Sequence, residues 1–485
     1  MGGWKAIAAH LCAALLFGRP SVGLEIVPVG EEFQVSTTAE GKQYNPKVTV
    51  LSNGGFVVVW ESEREERGCS ASSQRCSSDA DCPGRQYCVP FRHILARIFD
   101  PDANPAGEEF RVDEIDFNRP SDPAVAALPD GAFVVTWQDN ESIYARTFAS
   151  SGVARSDARP INQPTFSAFT PSVASSPGGD FGIVWQDRSL PALIHAKRFR
   201  TDFGVVQSEF VVGEPLGHFF EFGVPAIAFL PHGNFMVAWI NDTSNVVPGA
   251  VFGRIFAVDG HAVGETFFID TGPNLDRARR TDSCAGVSEF VVAWEAEYYP
   301  AISDPGVDDI CKVRVRRYDD SGSPSGDPFA AGDDSSFASE RFGAIACSGD
   351  GGFVVSWDSV GSRSSGPILR FFAVDGSSTL PTEIGKDQGL LSDVVHLRDN
   401  RFVVAWESND AEIHGHRFSI EGGTCAGDCN GDGFVLIDEL ITGVNIALGQ
   451  SPLASCPTSD GDGDDQISVA ELIAAVRRAL GGCGD

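Results

Sequence analysis

Seven of the eight tryptophans in this chain end the same short phrase, and that repetition restricts the fold more than any other feature. The phrases are GGFVVVW (Trp60), GAFVVTW (Trp137), GDFGIVW (Trp185), GNFMVAW (Trp239), SEFVVAW (Trp294), GGFVVSW (Trp357) and NRFVVAW (Trp406). Each is preceded by a strand-like segment such as PKVTVL or PAVAAL and a turn. Each is followed by a segment of the form Ile-x-Ala/Gly-Arg-x-Phe, such as ILARIF or IYARTF. A fourth segment, GEEFRVDE at 107–114 or GETFFIDT at 264–271, closes several units. Successive phrase tryptophans lie 48 to 77 residues apart, and the short end of that range is near the size of a four-stranded propeller blade. The phrase is apolar on consecutive residues, Phe56 to Trp60 for instance, so both faces of that strand must be covered, as they are between two neighbouring blades. An all-β, seven-bladed β-propeller over residues 24–423 follows. A string of β-sandwiches would need linkers, and no join is Pro/Gly/Ser-rich for more than a few residues.

The ends of the repeat array support a closed ring. Blade seven stops at RFSIEGG, 417–423, without a fourth strand, and GEEFQVST, 30–37, supplies one from the other end of the chain. Sharing a blade between the two ends removes open sheet edges. Enlarged connections follow the Trp strand in blade one (a Cys-rich insertion at about 61–92), blade five (295–312) and blade four (240–250), and equivalent loops emerge on one face. The recurrent Arg97, Arg146, Lys197, Arg254, Arg316 and Arg370 are expected to form cross-strand ion pairs with the acids after the tryptophans, Glu61, Glu295, Asp358 and Glu407. His414 and His416 take the places of Leu95 and Arg97, and so read as strand residues, not metal ligands.

The first 23 residues carry Lys5, an apolar stretch from Ala6 to Phe17, and Ser21 and Gly23 before a cleavage point, the layout of a signal peptide. No later apolar run reaches the 18 or more residues of a membrane span. A net charge of −31 repels phosphate backbones and anionic lipid, which excludes nucleic acid as a partner. Export makes disulfides the default reading of the cysteines. The four in CSASSQRCSSDADCPGRQYC, 69–88, are too widely spaced for zinc and allow three connectivities. Cys284 and Cys347 each lie six residues before the Phe of their phrase in adjacent blades, an expected pair that leaves Cys311 over.

The tail, 424–485, is chemically different. From Asp428 a twelve-residue loop offers Asp428, Asn430, Asp432, the Phe434 carbonyl and Glu439 at positions 1, 3, 5, 7 and 12, with Gly433 at the turn: the oxygen set of an EF-hand calcium loop. A second offers Asp460, Asp462, Asp464, the Gln466 carbonyl and Glu471, with Ser468 at position 9 and Asp465 in place of the turn Gly. Two calcium ions are expected. Everything recurs at an offset of 32, including Leu440, Val444 and Leu448 against Leu472, Val476 and Leu480, stripes expected to bury against each other. Cys425, Cys429, Cys456 and Cys483 are expected to staple this small domain, with Cys425 or Cys429 joined to Cys483.

The paired loop-helix layout over 425–485 resembles a type I dockerin. The resemblance implies an all-α calcium-binding fold and a cohesin-like or other protein partner. It departs from the cellulosomal pattern where Ile437, Asp438, Val469 and Ala470 replace Ser/Thr pairs. The unit GEEFQVST…NPKVTVLSNGGFVVVWES…ILARIFD similarly resembles a repeat of large secreted bacterial proteins, which implies extracellular use and no activity. The sequence shows no nucleophile elbow, HExxH helix or phosphate loop, and lacks the Ser-x-Asp-x-Gly-x-x-Trp box of sialidase-like propellers. No catalytic residue is assigned. The reading is a secreted, calcium-binding, non-catalytic binding or scaffold protein, with an extracellular polysaccharide or glycoprotein as the ring's ligand. The alternative is a secreted carbohydrate-active enzyme, a propeller glycosidase or lyase, carrying a dockerin.

Overall fold

The computed structural model describes residues 24–481 apart from 38–40, 71–73, 85, 115–118, 164–166, 190–191, 214–223, 244–246, 271–274, 299–309, 333–338, 361–366, 375, 386–388, 399, 422–425, 430–434 and 461–465. The segment read as a signal peptide lies outside the described residues. The chain divides into two compact units, a ring within Pro28–Ser419 and a C-terminal unit, Ile420–Asp485, with which the segment ending at Val27 is grouped.

The ring is a seven-bladed β-propeller of four-stranded antiparallel sheets. From the innermost strand outward, blade 1 is Gln43–Val50, Phe56–Cys69, Cys88–Phe99 and Phe110–Arg111, and blade 2 is Ser121–Ala127, Phe133–Asp139, Ser142–Phe148 and Arg159–Pro160. Blade 3 is Ala168–Ser175, Asp180–Asp187, Leu193–Arg200 and Val205–Gly213; blade 4 is Ala226–Phe229, Phe235–Thr243, Val247–Phe256 and Ala262–Asp270. Blade 5 is Leu275–Ala285, Glu289–Tyr298, Ile310–Asp319 and Phe329–Ala330; blade 6 is Ser339–Cys347, Phe353–Val360, Ile368–Phe372 and Thr382–Glu383. Blade 7 takes Gly389–His396, Arg401–Ser408 and Ile413–Glu421 from the C-terminal side and its outer strand, Glu25–Gln34, from the N-terminal side, as the sequence pattern requires. Each innermost strand packs on that of the next blade, and the seventh packs on the first, so the ring closes.

The uninterrupted apolar phrase is explained by which way its residues point. Val57 and Val59 pack with Phe133 and Trp137 of blade 2, while Phe56, Val58 and Trp60 pack with Val403 and Ala405 of blade 7. One strand thus feeds two inter-blade cores, and a polar residue is accommodated in the phrase only where its hydroxyl finds a backbone partner, as Thr136 Oγ1 does on the Tyr144 carbonyl at 2.7 Å. The phrase Phe also stacks on the Phe that ends the third strand, with ring centroids 5.0 Å apart for Phe56–Phe99, Phe235–Phe256 and Phe353–Phe372.

The recurrent third-strand cations do not form the expected ion pairs. Each reaches back to a backbone carbonyl on the outer strand of the preceding blade or just beyond it: Arg97 to Val35 (3.0 Å), Arg146 to Val112 (3.0 Å), Lys197 to Ile161 (3.1 Å), Arg254 to Val212 (2.8 Å), Arg316 to Ile269 (3.0 Å) and Arg370 to Ala331 (2.9 Å). Each cation also lies over the aromatic ring two residues on, as Arg370 does over Phe372 at 4.9 Å. The Arg-x-Phe signature is therefore a hook between blades. A buried carbonyl without a donor is costly, and Glu61, Glu295 and Asp358 after the tryptophans are themselves buried on main-chain N–H groups, so the guanidinium goes to the carbonyl.

The C-terminal unit contains helix α1, Ile437–Ala447, and helix α2, Val469–Gly481. The mutual burial expected of the two stripes does not form at Val444, Leu448 or Val476, while Leu440 and Leu472 are half-buried and the Leu480 side chain lies outside what is described. Leu448 is 66% exposed, and Val444 and Val476 are exposed as well. The helices meet instead where α1 is smallest, with Gly443 against Leu472, and the apolar cluster is Ile446, Cys456 and Ile467 with Cys429, Leu453 and Leu472.

Removing residues 24–38 should open blade 7, strip Arg97 of the Val35 carbonyl and lower the melting temperature of the whole ring. Thermal denaturation of the truncated chain checks this; an unchanged midpoint would show that the N-terminal strand is dispensable.

Candidate functional site

The innermost strands of all seven blades surround a central cavity of about 940 Å³. At the end where the Trp strands finish, the inner strands share an irregularity. Asn45, Asp122, Thr170, Arg280 and Leu391 all have positive φ, between 43° and 53°, at or beside points where the strand register slips. For a β-branched residue such as Thr170 this conformation costs roughly 1–2 kcal/mol and persists only where the surroundings impose it.

Four of these five residues, Arg280 being the exception, donate their N–H to a latch across a seam. The residue after the phrase Trp of one blade accepts the inner-strand N–H of the next: Glu61 from Asp122 (2.9 Å), Gln138 from Thr170 (3.2 Å), Glu295 from Phe342 (3.2 Å) and Asp358 from Leu391 (2.9 Å). Glu407 accepts likewise from Asn45, which carries the latch across the ring closure. These are the acids that had been expected to pair with arginines. The left-handed residues themselves escape sequence reading because they share a backbone conformation and no side-chain type; the recurring Glu, Gln or Asp after Trp is the signal that could have found them.

The buried latches hold unusual protons. Glu61, 2% exposed, also accepts Asn45 Nδ2 at 2.9 Å and lies 3.4 Å from Arg92, yet burial and the neighbouring Asp122 push its carboxyl up to about 7. Burial pushes Asp358 up to about 7. Deeper in the channel, Lys47, Asp282 and Asp393 share one register, each opposite the residue before the phrase Trp. Asp282 accepts the Ile345 N–H at 3.2 Å and is pushed up to about 6 by enclosure and by Asp393. Asp393 accepts the Val48 N–H at 2.7 Å, lies 3.6 Å from Lys47 and is raised by burial. Raised carboxyls in a cleft are what general acids look like, but these four are each bound by a backbone N–H of the next blade, which accounts for them structurally.

The Cys-rich insertion stands on the same face. Its hairpin prolongs the Trp60 strand, and Cys69–Cys82 and Cys76–Cys88 form, one of the three connectivities and not a zinc site. Arg119 of the blade 1–2 connection donates to the carbonyls of Gly68 (2.8 Å), Cys69 (3.0 Å) and Ser70 (2.8 Å), fixing the insertion to the ring. Cys284 and Cys347 are bonded as expected. Cys311 is the free cysteine among the described residues; burial and Glu295 push its thiol up to about 12, so it is no nucleophile. His414 lies tilted against Trp406 and pairs with Glu32 at 3.0 Å, and His416 meets the Gly30 carbonyl at 3.2 Å, so neither is arranged as a metal ligand.

In the tail, Asp428 and Glu439 are buried, and Glu439 folds back over the first loop, accepting N–H bonds from Cys429 (2.8 Å) and Leu436 (2.9 Å). Position 12 of the loop is thus held on the amides of positions 2 and 9. Glu471 matches it, accepting the Ser468 N–H at 2.6 Å while Ser468 Oγ faces its own N–H at 3.3 Å. Ser468 is thus the N-cap of α2. Asp460 and Gln466 are described; Asn430, Asp432, Phe434, Asp462 and Asp464 lie outside the described residues, as do Cys425 and Cys483. Cys429 is bonded to Cys456, which corrects the expected link from Cys429 to Cys483.

No family model and no curated protein matches the chain. Among solved structures, the chain is similar to an α-L-arabinofuranosidase of Fusarium graminearum (11% identity, 61% of this chain and 91% of that one, TM-score 0.42). It is also similar to a protein of unknown function from Dyadobacter fermentans (11%, 82% and 100%, TM-score 0.47) and to a Hadza microbial sialidase (11%, 81% and 70%, TM-score 0.44). Likeness of that degree carries no argument about function.

The latch carboxyls make stability depend on pH with a definite sign. Their folded pKa values, about 7 for Glu61 and Asp358 and about 6 for Asp282, lie above the unfolded ones, so the folded ring binds the extra protons. Their contribution is complete below pH ~4 and is lost as pH rises through 6 to 7, at most about 3 kcal/mol for Glu61. The protein should melt higher at pH 5 than at pH 8. Glu61→Gln should narrow that gap, and a calorimetric pH series on both proteins measures it.

Proposed function

We propose that the chain is a secreted, non-catalytic binding or scaffold protein. The latched ring presents its Trp-side face to an extracellular polysaccharide or glycoprotein, and the dockerin-like tail holds two calcium ions and docks a protein partner. The observation that carries this is the engagement of the channel carboxylates by backbone N–H groups, which commits them to holding blades together. Four disulfides among the described residues favour an oxidising compartment. No described helix is long and apolar enough to cross a membrane.

The residues that would hold calcium are Asp428, Asn430, Asp432, the Phe434 carbonyl and Glu439 in one loop, and Asp460, Asp462, Asp464, the Gln466 carbonyl and Glu471 in the other. The buried Asp428 and Glu439, drawn to one end of the first loop, fit a hard cation. Calcium supplies the positive charge that lets so many carboxylates share a small volume. Docking is supported by what the helices leave uncovered. Ile437, Ile441 and Val444 on α1 and Val469, Ile473 and Val476 on α2 are all exposed and correspond at the offset of 32. Ile437 and Val469, 77% and 73% exposed, stand where the cellulosomal pattern has hydroxyl residues, so the partner surface would be apolar.

A glycosidase is the second reading. It is favoured by Glu61 and Asp122, neighbouring carboxyls at the channel mouth, one of them poised near neutrality. A glycan array run beside a hydrolysis screen on the same polysaccharides separates the two readings: turnover abolished by Glu61→Gln would replace the binding reading.

Two further outcomes are expected. Calorimetry should find two calcium sites, and a partner captured on the calcium-loaded tail should be released by chelator while the ring melts unchanged; a chelator-indifferent pull-down would remove docking. Deleting residues 66–90 should abolish glycan binding and leave the ring folded, whereas retained affinity would move the ligand to the opposite face.

A further inference from the structure

At the seam between blades 4 and 5 no latch of the usual kind can form. The residue after the phrase Trp of blade 4 is Ile240, which has no side-chain acceptor, and Thr281 Oγ1 ties the two inner strands instead by donating to the Val224 carbonyl at 2.6 Å. Arg280 nevertheless holds the left-handed conformation, φ 43°, that its counterparts hold with a latched N–H. Its side chain lines the central cavity and makes no hydrogen bond or ion pair among the described residues. The positive charge is felt at Asp358, whose carboxyl it draws down against the effect of burial. An arginine held at a conformational cost, with no contact inside the ring to offset it, is available to a ligand.

The channel presents its cations and conceals their counter-ions. Lys47 and Arg92 of blade 1 line the same cavity as Arg280. The Lys47 side chain is 34% exposed against 12% for Asp393, 3.6 Å away, and Arg92 is 32% exposed against 3% for Glu61, 3.4 Å away. Those two carboxyls are turned to the Val48 and Asp122 N–H groups, so an incoming molecule meets ammonium and guanidinium groups first. Asp122 and Asp282 also line the channel, and burial raises all four acids, Glu61 to about 7 and Asp282 to about 6. They therefore take up protons at a pH where the cations keep their charge and a free carboxylate stays ionised. His396, on the same wall as Asp393, adds positive charge when protonated.

We infer that the central channel binds a carboxylate-bearing sugar, with the Arg280 guanidinium as its anchor and Lys47 and Arg92 completing the cationic lining. The inference rests on the binding reading proposed above and gives its ligand a charge class. A guanidinium fork matches a carboxylate in two parallel hydrogen bonds, and a cavity of about 940 Å³ has the size of a small-molecule site. The net charge of −31 opposes a long polyanion, which favours a short acidic oligosaccharide or the acidic end of a chain. Arg92 stands on the strand that leaves the Cys-rich insertion, so site and insertion share one face.

The test is calorimetric titration of the full chain at pH 5.5 and pH 8 with an oligogalacturonate, its methyl ester and a sulfated oligosaccharide of the same length, repeated on Arg280→Gly. Glycine is at home in the left-handed region, so Arg280→Gly removes the guanidinium together with the backbone cost. The acidic oligomer should bind, more tightly at pH 5.5, and the ester should not; Arg280→Gly should weaken binding roughly tenfold or more while its melting temperature holds or rises. Equal affinity for acid and ester, preference for the sulfated probe, tighter binding at pH 8, or affinity untouched by Arg280→Gly would each overturn the carboxylate site. If none of the three probes binds while a glycan array finds a neutral ligand, the site falls and the binding reading stands; an empty array removes both. Should Arg280→Gly melt lower than the unaltered protein, Arg280→Lys decides, since it keeps the charge and loses the fork: weakened affinity for the acid supports the anchor, and unchanged affinity overturns it.

Discussion

The hydrogen bond from a third-strand guanidinium or ammonium to a main-chain carbonyl of the preceding blade is the contact on which the ring depends. Side-chain packing between blades is non-directional and would tolerate sliding; a charged donor aimed at one carbonyl is not so tolerant. The hook fixes the register of neighbouring sheets at six seams, and the seam closed by Arg97 uses Val35, so the first strand of the chain must be in place before the ring is complete. Three blades add a forward hook from the next residue, Arg198 to Val258, Arg317 to Ala373 and Arg417 to Pro101. Adjacent residues on a strand point to opposite faces, so a dibasic pair there can grip both neighbours. In blade 7 the backward position is His416, and Arg417 supplies the forward grip onto blade 1.

Hooks and latches divide the labour by chemistry. The cations seek carbonyls and the anions seek N–H groups, each satisfying backbone atoms that the circular arrangement would otherwise leave without partners. This division bears directly on function. A carboxyl with a raised pKa in a channel invites a catalytic interpretation, and Glu61, Asp282 and Asp358 meet that description. Their hydrogen bonds are to main-chain donors of the next blade, and protonation changes the strength of a seam. On the proposed reading, the sensitivity to pH that an enzyme would use for turnover belongs to the scaffold.

The ring was legible because its strongest constraint is written in consecutive residues. A strand buried on both faces leaves an apolar phrase, and the Trp ending it marks the register in every blade; blade count, ring closure and the Cys284–Cys347 bond follow from that alignment. The hook was half legible. Arg-x-Phe recurs visibly, but its partner is a carbonyl, which has no letter in a sequence, so the pattern points to the nearest acid instead. The same blindness hid the left-handed residues at the channel mouth, where Asn, Asp, Thr, Arg and Leu share a φ and nothing else. In the tail the duplication is visible in the sequence, but the helix interface is not. A leucine stripe suggests burial along its length, whereas of these residues Leu472 packs at Gly443 and Val444, Leu448 and Val476 stay exposed.

The two parts added to the repeat, the blade 1 insertion and the tail, share one physical problem, which also says where this chain can exist. Neither can bury a core of its own. The cluster inside the insertion consists of Cys69, Cys82 and Cys88 with Cys76, and the cluster in the tail needs Cys456 and Cys429 beside Ile446 and Ile467. A segment of that size gains too little from apolar burial to offset its chain entropy, and cross-links that restrict the unfolded chain supply the difference, typically about 2–4 kcal/mol each. The ring, with its buried phenylalanines and tryptophans, does not share this need to the same degree. Reducing conditions should therefore loosen the insertion and the tail first, while hooks and latches hold the blades. The surfaces proposed for binding and docking are then the parts of the molecule whose order depends on an oxidising environment, and the scaffold that presents them is not.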